Sequence, residues 1–315
     1  MIIGFKLKNL DTEDQITFGQ ENGYDYLYKS GDLDWGNVPA SHNTYKYYKQ
    51  VGSSIYSSVL NEREISLTAW IYCILTDEEK DGFKPWEWID IGYKRIKEAK
   101  RIINEVINPT NTLRISTGGY YIDGRASSTP QFGITEANNN EIFCSFTFSI
   151  FCNNPMFKKE TNVIKSLSGD YGCFVFPFYS VDFGYIMGTR VDYLTLVVEN
   201  EGNVEIGGKI TLYAKGVIVN PKITNVETGD TIVINKTMKR GETIIINTNE
   251  GKDRGVFGIV DGIKKSYLSY WSFKNKWIKF QKGTTMISYS TENSSEDSLE
   301  VTIELNPEKF ALEEM

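Results

Sequence analysis

NPKITNVETGD, residues 220–230, is the most informative segment of this 315-residue chain. Asn220-Pro221 can open a strand at a position where no backbone N–H donor is needed, since proline has none. Thr228-Gly229-Asp230 is typical of a tight turn, because glycine adopts positive φ without steric cost and Asp and Thr hydrogen-bond nearby backbone. The runs on either side are therefore predicted to pair as an antiparallel hairpin.

The sequence around this segment repeats the same pattern. Short runs that favour strands are separated by turn signals at intervals of roughly ten residues, which predicts an all-β sandwich. This half shows neither helical periodicity nor an internal repeat. The other strands predicted in it are Asp192–Asn200, Glu205–Ala214, Thr231–Ile234, Glu242–Asn247, Lys264–Leu268, Trp277–Phe280, Thr284–Ser290 and Ser298–Leu305.

A polar and irregular segment, Asn162–Asp170, separates this half from the preceding sequence. The chain length suits two domains of ~100–200 residues each. The sequence therefore predicts a first domain at residues 1–158 and a second at residues 159–315.

The first half is predicted to combine strands with one helix. Glu64–Ile74 alternates apolar and polar residues, the period of a half-buried strand. Asn140–Cys152 alternates over a longer run and stops at Asn153-Asn154-Pro155. The pair Gly118-Gly119 lies between two alternating runs and predicts a hairpin turn.

The predicted helix covers about Ile91–Ile107, with Asp90 as its N-cap and Pro109 beyond its end. Its apolar residues recur at helical spacing and should face a sheet. They are Ile96, Ala99, Ile103 and Val106.

Composition excludes several classes of protein. A net charge of −7 and a pI near 5.1 do not suit affinity for nucleic acid, which requires a basic stripe. No secretory signal and no membrane-spanning apolar stretch is found. The four cysteines form no CxxC pair and are expected to be buried free thiols in a protein assembled in a reducing cytoplasm.

The sequence offers little catalytic chemistry. Its single histidine, His42, is predicted to lie in a surface loop, and one imidazole cannot complete a two-histidine metal site. Asp32–Gly36 lacks the ligand spacing of a calcium loop, and the acidic cluster Asp77–Asp81 resembles a solvated loop. We therefore predict no catalytic residue, no metal, no cofactor and no enzyme activity.

Four aromatic residues, two in a proline-flanked stretch and two in a turn-rich stretch, are candidate contacts for a protein interface or for a glycan. Core packing is the alternative explanation for the same residues. They are Trp86, Trp88, Trp271 and Phe273.

Taken together, these segments resemble the distal tail proteins of Gram-positive phages, in order and pattern over nearly the whole chain. The resemblance begins at the short N-terminal strand pair through Ile16-Thr17-Phe18. Its motifs include GDLDWG at residues 31–36, the NNP that closes the long strand at 153–155, the 220–230 segment and GETIIINTNEG at 241–251. The matching positions are Asp34, Trp35, Gly36, Asn153, Pro155, Asn220, Pro221, Asn225, Thr228 and Gly229.

The resemblance implies a mainly β fold. Its first domain would be a tail-tube-like β-barrel or sandwich with one helix, and its second a galectin-like β-sandwich. It also implies a homohexameric ring at the tip of a virion tail, with a central channel for the genome. The implied partners are the tail-tube protein, the tail-associated tip or hub protein and the tape-measure protein.

Two rival functions remain open at this stage. A carbohydrate-binding adhesion module would bind host wall glycan through Trp271 or its neighbours. A cell-wall hydrolase would need a catalytic constellation that His42 alone does not provide.

Overall fold

The computed structural model describes residues 4–19, 26–74, 84–166, 168–172, 188–192, 195–251, 253–260 and 262–312. The chain divides into two compact units: unit 1 is Met1–Glu160 with Phe310–Met315, and unit 2 is Thr161–Lys309. The sequence had assigned all residues after 158 to the second domain. The last residues belong instead to unit 1, because Leu312 packs against its core and Arg63 donates a hydrogen bond to the carbonyl oxygen of Phe310.

Unit 1 is built of antiparallel strands and one α-helix, α1, at Pro85–Val106. Its strands are β1 Lys6–Asn9, β2 Gln15–Thr17, β3 Tyr26–Asp34, β4 Ala40–Tyr45, β5 Ser54–Leu60, β6 Arg63–Cys73, β7 Leu113–Thr117, β8 Tyr120–Ala126, β9 Gln131–Phe132, β10 Phe143–Cys152 and β11 Phe157–Lys159. The main sheet runs in the order β2–β1–β7–β8–β10–β6–β3. Strand β11 pairs with β8, β9 pairs with β10, and β4 pairs with β5 as a separate hairpin.

The two ends of this strand order come together. The backbone N–H of Gly19, just beyond β2, donates to the carbonyl oxygen of Tyr28 in β3 at 2.8 Å. Phe18 packs near Tyr28 and Phe146 at centroid distances of 6.0 and 6.3 Å. The sheet is thus nearly closed into a barrel around an apolar interior.

The core of unit 1 follows from the predicted periodicities. In β6 the side chains of Ile65, Leu67, Ala69 and Ile71 are buried, while the alternate residues are more exposed. The predicted apolar residues of α1 are also buried, in the same cluster as the sheet's inner face. Period-two and helical patterns were therefore sufficient to identify this core.

Helix α1 begins earlier than predicted. Pro85 occupies the first turn, where a missing N–H is harmless, and the Lys84 N–H donates to Glu87 Oε2 at 2.7 Å. Asp90 is consequently an exposed residue within the helix and does not cap it. At the other end, buried Asn9 donates from Nδ2 to the Val106 carbonyl oxygen at 3.0 Å and satisfies one of the last free carbonyl groups.

Unit 2 contains short antiparallel strands and two single turns of 3₁₀ helix, Leu268–Tyr270 and Glu296–Ser298. Its strands are β12 Val163–Ser166, β13 Ser168–Gly172, β14 Gly188–Asp192, β15 Thr195–Asn200, β16 Lys209–Ala214, β17 Ile218–Val219, β18 Lys222–Asn225, β19 Thr231–Val233, β20 Thr237–Met238, β21 Thr243–Asn247, β22 Gly255–Val260, β23 Ile263–Ser266, β24 Gly283–Ser290, β25 Leu299–Leu305 and β26 Glu308–Lys309.

Two larger sheets form the body of this unit, and β13 pairs with β14 and β17 with β20 as separate two-stranded sheets. One has the order β12–β25–β16–β21–β22–β23 and the other β15–β24–β18–β19, and their buried side chains share one apolar cluster. This arrangement is the predicted sandwich; its galectin-like character stays a prediction. The predicted strand Trp277–Phe280 is wrong, because only Phe280 forms a bridge, with Ile206, and the segment contributes buried side chains without joining a sheet.

Candidate functional site

The most distinctive surface of unit 1 is the β4–β5 hairpin, which we call the arm (residues 39–61). Every residue of β4 is exposed and β5 has no fully buried residue, so neither face of the hairpin is covered. An isolated two-stranded hairpin is marginally stable in water, because it lacks a core. The arm is therefore a candidate contact surface.

The arm carries an unusual concentration of exposed apolar side chains. Tyr48 is 91% exposed and Val51 is 99% exposed, and Ile55, Tyr56 and Val59 are exposed as well. Contiguous exposed apolar patches of this kind mark interaction sites.

Some of the arm's aromatic rings contact one another. The ring centroid of Tyr45 lies 4.9 Å from that of Tyr47 and 6.2 Å from that of Tyr56. These rings thus form a small aromatic cluster on the arm itself.

The arm also differs in charge from the rest of the chain. Residues 39–61 include Lys46 and Lys49 and no acidic residue, in a chain with a net charge of −7. An acidic surface is the complementary partner for such an element.

His42 lies on strand β4 and not in the predicted loop. It is exposed, and its Nδ1 is 2.8 Å from the Ser58 hydroxyl oxygen across the hairpin. The imidazole therefore contacts a hydroxyl group of the neighbouring strand, as is typical of a surface strand pair, and this contact provides no carboxylate to orient the ring.

The base of the arm is fixed to unit 1. The Asn61 N–H donates to the Pro39 carbonyl oxygen at 2.8 Å, so the two ends of the arm meet. Gly36 has a φ of +65°, and a side chain there would overlap the Glu64 carbonyl oxygen in β6. Asp34 Oδ1 accepts the Gly36 N–H at 2.9 Å. The motif at 34–36 thus shapes the segment that leads into the arm.

A pocket of about 420 Å³, which we call the root pocket, opens at this base. Arg63 is 2% exposed, and its guanidinium stacks on the Phe157 ring at 4.7 Å. Burial lowers the pKa of Arg63, and burial also raises the pKa of the neighbouring Cys152 thiol to about 12. The lining includes Trp35, Val38, Leu60, Arg63, Phe157 and Leu312.

The NNP motif ends strand β10 through its middle residue. Asn154 Oδ1 accepts the Met156 N–H at 3.0 Å, between β10 and β11, while Asn153 is exposed and Pro155 is half-buried. These predicted motif residues are turn formers.

The 220–230 segment forms the predicted hairpin of β18 and β19, in which Thr224 is opposite Thr231. Asn225 is buried, and its Oδ1 accepts the N–H groups of Glu227 and Thr228 at 3.0 and 3.2 Å. Gly229 has a φ of +71°. Asn225 is thus the residue that holds this turn.

The start of the segment is also a turn. Asn220 has a φ of +46°, its Nδ2 contacts Glu292 Oε2, and its N–H donates to Lys236 O at 3.2 Å. Pro221 is buried and accepts the Ile234 N–H through its carbonyl oxygen at 3.0 Å. The matched positions of unit 2 therefore have structural roles in the described contacts.

The four candidate aromatic residues are not brought together as one site. Trp271 is half-buried, stacks on Trp277 at a centroid distance of 4.2 Å and packs against the core of unit 2. Phe273 is 90% exposed. In α1, Trp86 is exposed with Lys84 above its ring, while Trp88 is half-buried.

One ion pair in unit 2 is well shielded. Lys236 Nζ lies 2.6 Å from Glu242 Oε1, and both side chains are largely buried. Burial by itself would raise the pKa of Glu242, but hydrogen bonds from Lys236, from the Lys239 N–H and from Tyr267 offset this and lower the pKa overall.

Neither a metal-ligand cluster nor a membrane-spanning helix is found among the described residues. Within the ranges described above, no three His, Cys, Asp or Glu side chains form a group able to hold a metal ion. No helix in that part of the chain is both long and apolar enough to cross a membrane. The acidic cluster Asp77–Asp81 and Cys173 lie outside the described residues.

Comparison with known proteins agrees with this architecture. Residues 201–307 match the family model for the C-terminal domain of the siphovirus-type tail component. The crystal structure of the SPP1 Dit protein, described as a paradigm of the hub adsorption apparatus in phages infecting Gram-positive bacteria, superposes with a TM-score of 0.58 at 10% identity, covering 96% of this chain and 98% of that one.

The resemblance to phage distal tail proteins is confirmed. The structural match shows the distal tail fold over both units, and the family model identifies its C-terminal domain in unit 2. A chain of the phage P2 baseplate, in its activated conformation with Ca, is 13% identical, with a TM-score of 0.42 over 96% of this chain and 98% of that one. No curated protein sequence matches this chain.

None of the contact residues predicted from the sequence lies in the arm. Its strands do not alternate apolar and polar residues in the manner of a half-buried strand, because both faces are exposed. The available signal was the Tyr-rich segment at 45–48 together with the β-branched and aromatic residues at 55–60 around a glycine turn at Gly52.

Proposed function

We propose that this chain is a non-enzymatic structural protein of a phage tail tip, a distal tail protein that assembles into a closed ring. The ring would act as the baseplate hub, connecting the tail tube to the tip apparatus around a channel for the genome. The partners would be further copies of the chain, the tail-tube protein, the tip or hub protein and the tape-measure protein. Assembly would occur in the host cytoplasm and the finished protein would reside in the virion tail.

The observation that carries this proposal is the arm. A basic hairpin with exposed apolar residues on an acidic protein favours contact with another copy of the same chain, which offers an acidic surface. In a ring, each copy contributes the arm to one neighbour and receives the arm of the other, which is a heterologous interface that closes by rotation. The described residues of β4 and β5 pair only with each other, so their outer edges are also available for strand addition.

The channel needs no special chemistry. DNA is retained by cationic walls through release of counterions, so an acidic chain suits free passage of the genome. The ring stoichiometry we expect is six, as in the family that the chain resembles.

The test is the oligomeric state of the full-length protein, measured by native mass spectrometry and light scattering over a concentration series. The variant Tyr48→Ser removes a fully exposed ring of the arm and should weaken assembly at least tenfold. Phe273→Ser removes an equally exposed ring from unit 2 and is the matched control, which should assemble as the wild type does. A wild-type protein that stays monomeric at every concentration and does not bind tail-tube ends would refute the proposal.

Excision of the arm gives a stronger version of the same test. Because Pro39 and Asn61 are hydrogen-bonded, a short glycine-serine linker can replace residues 40–60 without separating β3 from β6. The excised protein should unfold at nearly the temperature of the wild type and should remain monomeric.

The rival function is a carbohydrate-binding adhesion module that recognises host wall glycan. Trp271 is a weak candidate for it, because its ring stacks on Trp277, whereas Phe273 presents a free aromatic surface. A glycan array probed with the full-length protein and with Phe273→Ser distinguishes the two functions. Wild-type binding that the substitution abolishes would favour the adhesion module.

A further inference from the structure

The root pocket contains a buried positive charge, that of Arg63, with which no carboxylate of the described residues forms an ion pair. Arg63 is buried, and its Nη2 donates to the carbonyl oxygen of Phe310. Its Nε is buried without a hydrogen-bond partner, and within the described ranges the one titratable group that acts on its charge is the Cys152 thiol. Buried charges in proteins are normally paired, because an unpaired one costs solvation free energy. Among the residues that the structure describes, the guanidinium therefore has no anionic partner.

The described neighbours of Arg63 do not supply an anion. The residue opposite it in the β6–β10 ladder is Cys152, whose thiol is neutral at physiological pH because burial raises its pKa to about 12. The other close contact is the face of the Phe157 ring. A stacked guanidinium forms hydrogen bonds in its own plane, which suits the planar geometry of a carboxylate.

The other residues of the pocket favour an apolar group as the carrier of the carboxylate. Trp35, Val38, Phe157 and Leu312 give the walls an apolar character, and the volume of about 420 Å³ accommodates a side chain of moderate size. An apolar pocket with one precisely placed charge is typical of a specific binding site.

We propose that the root pocket binds a carboxylate carried on an apolar group, and that a second copy of this chain presents it. This part of the proposal rests on the proposed function. The pocket is continuous with the arm, since Leu60, the last residue of β5, and Val38, just before β4, both line it. The chain has 41 acidic residues against 34 basic ones, so a neighbouring copy offers carboxylates to this basic region.

The first experiment tests the chemistry of the pocket with a small probe. N-acetyl-L-leucine carries a carboxylate on an apolar stem, and N-acetyl-L-leucinamide is its neutral match. Binding to the full-length Tyr48→Ser variant, chosen so that the pocket is free of a neighbour, is measured by saturation-transfer NMR and calorimetry. The acid should bind at least tenfold more tightly than the amide. Equal binding of the two probes, or no binding of either, overturns the proposal.

The second experiment tests the source of the carboxylate. Ala311→Trp places an indole at the pocket mouth without altering Arg63, and Ala311→Ser is its matched control. Ala311→Trp should abolish acid binding and raise the dissociation constant of assembly at least tenfold, while Ala311→Ser should change neither. Loss of acid binding with normal assembly would overturn the second copy as the source.

The variant Arg63→Lys tests whether binding depends on the positive charge alone or also on the planar guanidinium group. Lysine keeps the positive charge but cannot form the two parallel hydrogen bonds of a guanidinium, so the preference for acid over amide should shrink while thermal unfolding stays cooperative. An unchanged preference would contradict the assigned role of Arg63. These experiments also test the pocket independently of the ring. If the arm variants assemble normally, the proposed function is contradicted, but the comparison of acid and amide probes still tests whether the root pocket binds a carboxylate.

Discussion

Replacing Asn225 with alanine should destabilise unit 2 by removing the side chain that holds the turn after β18. Its Oδ1 accepts two backbone N–H groups, from Glu227 at 3.0 Å and Thr228 at 3.2 Å, and both bonds are partly buried. A buried donor without a partner costs about 1–3 kcal/mol, and because water reaches part of this turn the lower end applies to each, which gives about 2–3 kcal/mol in total. For a unit of this size each kcal/mol lowers Tm by about 2–4 °C, so the expected shift is about 4–12 °C.

Differential scanning calorimetry of the full-length chain measures this shift, and Val226→Ala is the matched control. Val226 lies in the same turn but is exposed, so its truncation should change the free energy of unfolding by less than about 0.5 kcal/mol. Hydrogen exchange at the amides of Glu227 and Thr228 should accelerate in Asn225→Ala alone. Equal Tm values for the two variants, with unchanged exchange at these amides, would refute the role assigned to Asn225.

Three further predictions concern stability and reactivity. Gly36→Ala should lower the Tm of unit 1 by more than Gly52→Ala does. Both glycines have positive φ, but only Gly36 faces a backbone atom that a methyl group would overlap. If both variants lost about 1–2 kcal/mol of stability, the cost of positive φ alone, the overlap at Gly36 would be contradicted. The pKa of Glu242 is lowered in the folded state, so the ionised carboxylate stabilises the fold at pH values above its unfolded pKa of about 4.3, and this stabilisation is lost as the pH falls through the lower folded pKa. Glu242→Gln should therefore flatten the plot of unfolding free energy against pH between pH 5 and pH 3. An unchanged slope in the variant would show that the Lys236–Glu242 ion pair does not cause this pH dependence. Cys152, with its thiol pKa raised to about 12 by burial, should resist iodoacetamide at pH 8 until the protein unfolds, as peptide mass spectrometry can establish; rapid labelling in the native state would contradict its burial.

Much of the fold could be predicted where a residue pattern has one dominant physical cause. The alternation in Glu64–Ile74 arises because one face of β6 lies on the core, and the structure has that strand at Arg63–Cys73. The glycine pair at 118–119 has φ values of +55° and +76°, the backbone that the predicted hairpin requires. The hairpin of residues 220–230 was predictable for the same reason.

Other features depend on contacts that a local pattern does not contain. The start of α1 was wrong because Asp90 resembles a cap, whereas Pro85 and Glu87 provide a better start one and a half turns earlier. The return of the C-terminal residues to unit 1 depends on Arg63, far away in sequence. The segment Trp277–Phe280 has strand-like composition because its side chains fill the core, and its backbone pairs only at Phe280.

The strands of the arm are exposed, whereas its base is held by hydrogen bonds and buried residues of unit 1. This difference would affect how the proposed ring forms. Docking a loose hairpin would cost conformational entropy at every interface, so an arm fixed in direction before contact binds more tightly for the same surface. In this chain the fixing elements lie at the base: the Asn61–Pro39 hydrogen bond, the positive φ of Gly36 against β6, and the buried guanidinium of Arg63. If the ring forms as proposed, the motif at residues 34–36 would contribute to assembly in two ways: the turn at Gly36 leads into the arm, and Trp35 forms part of the root pocket.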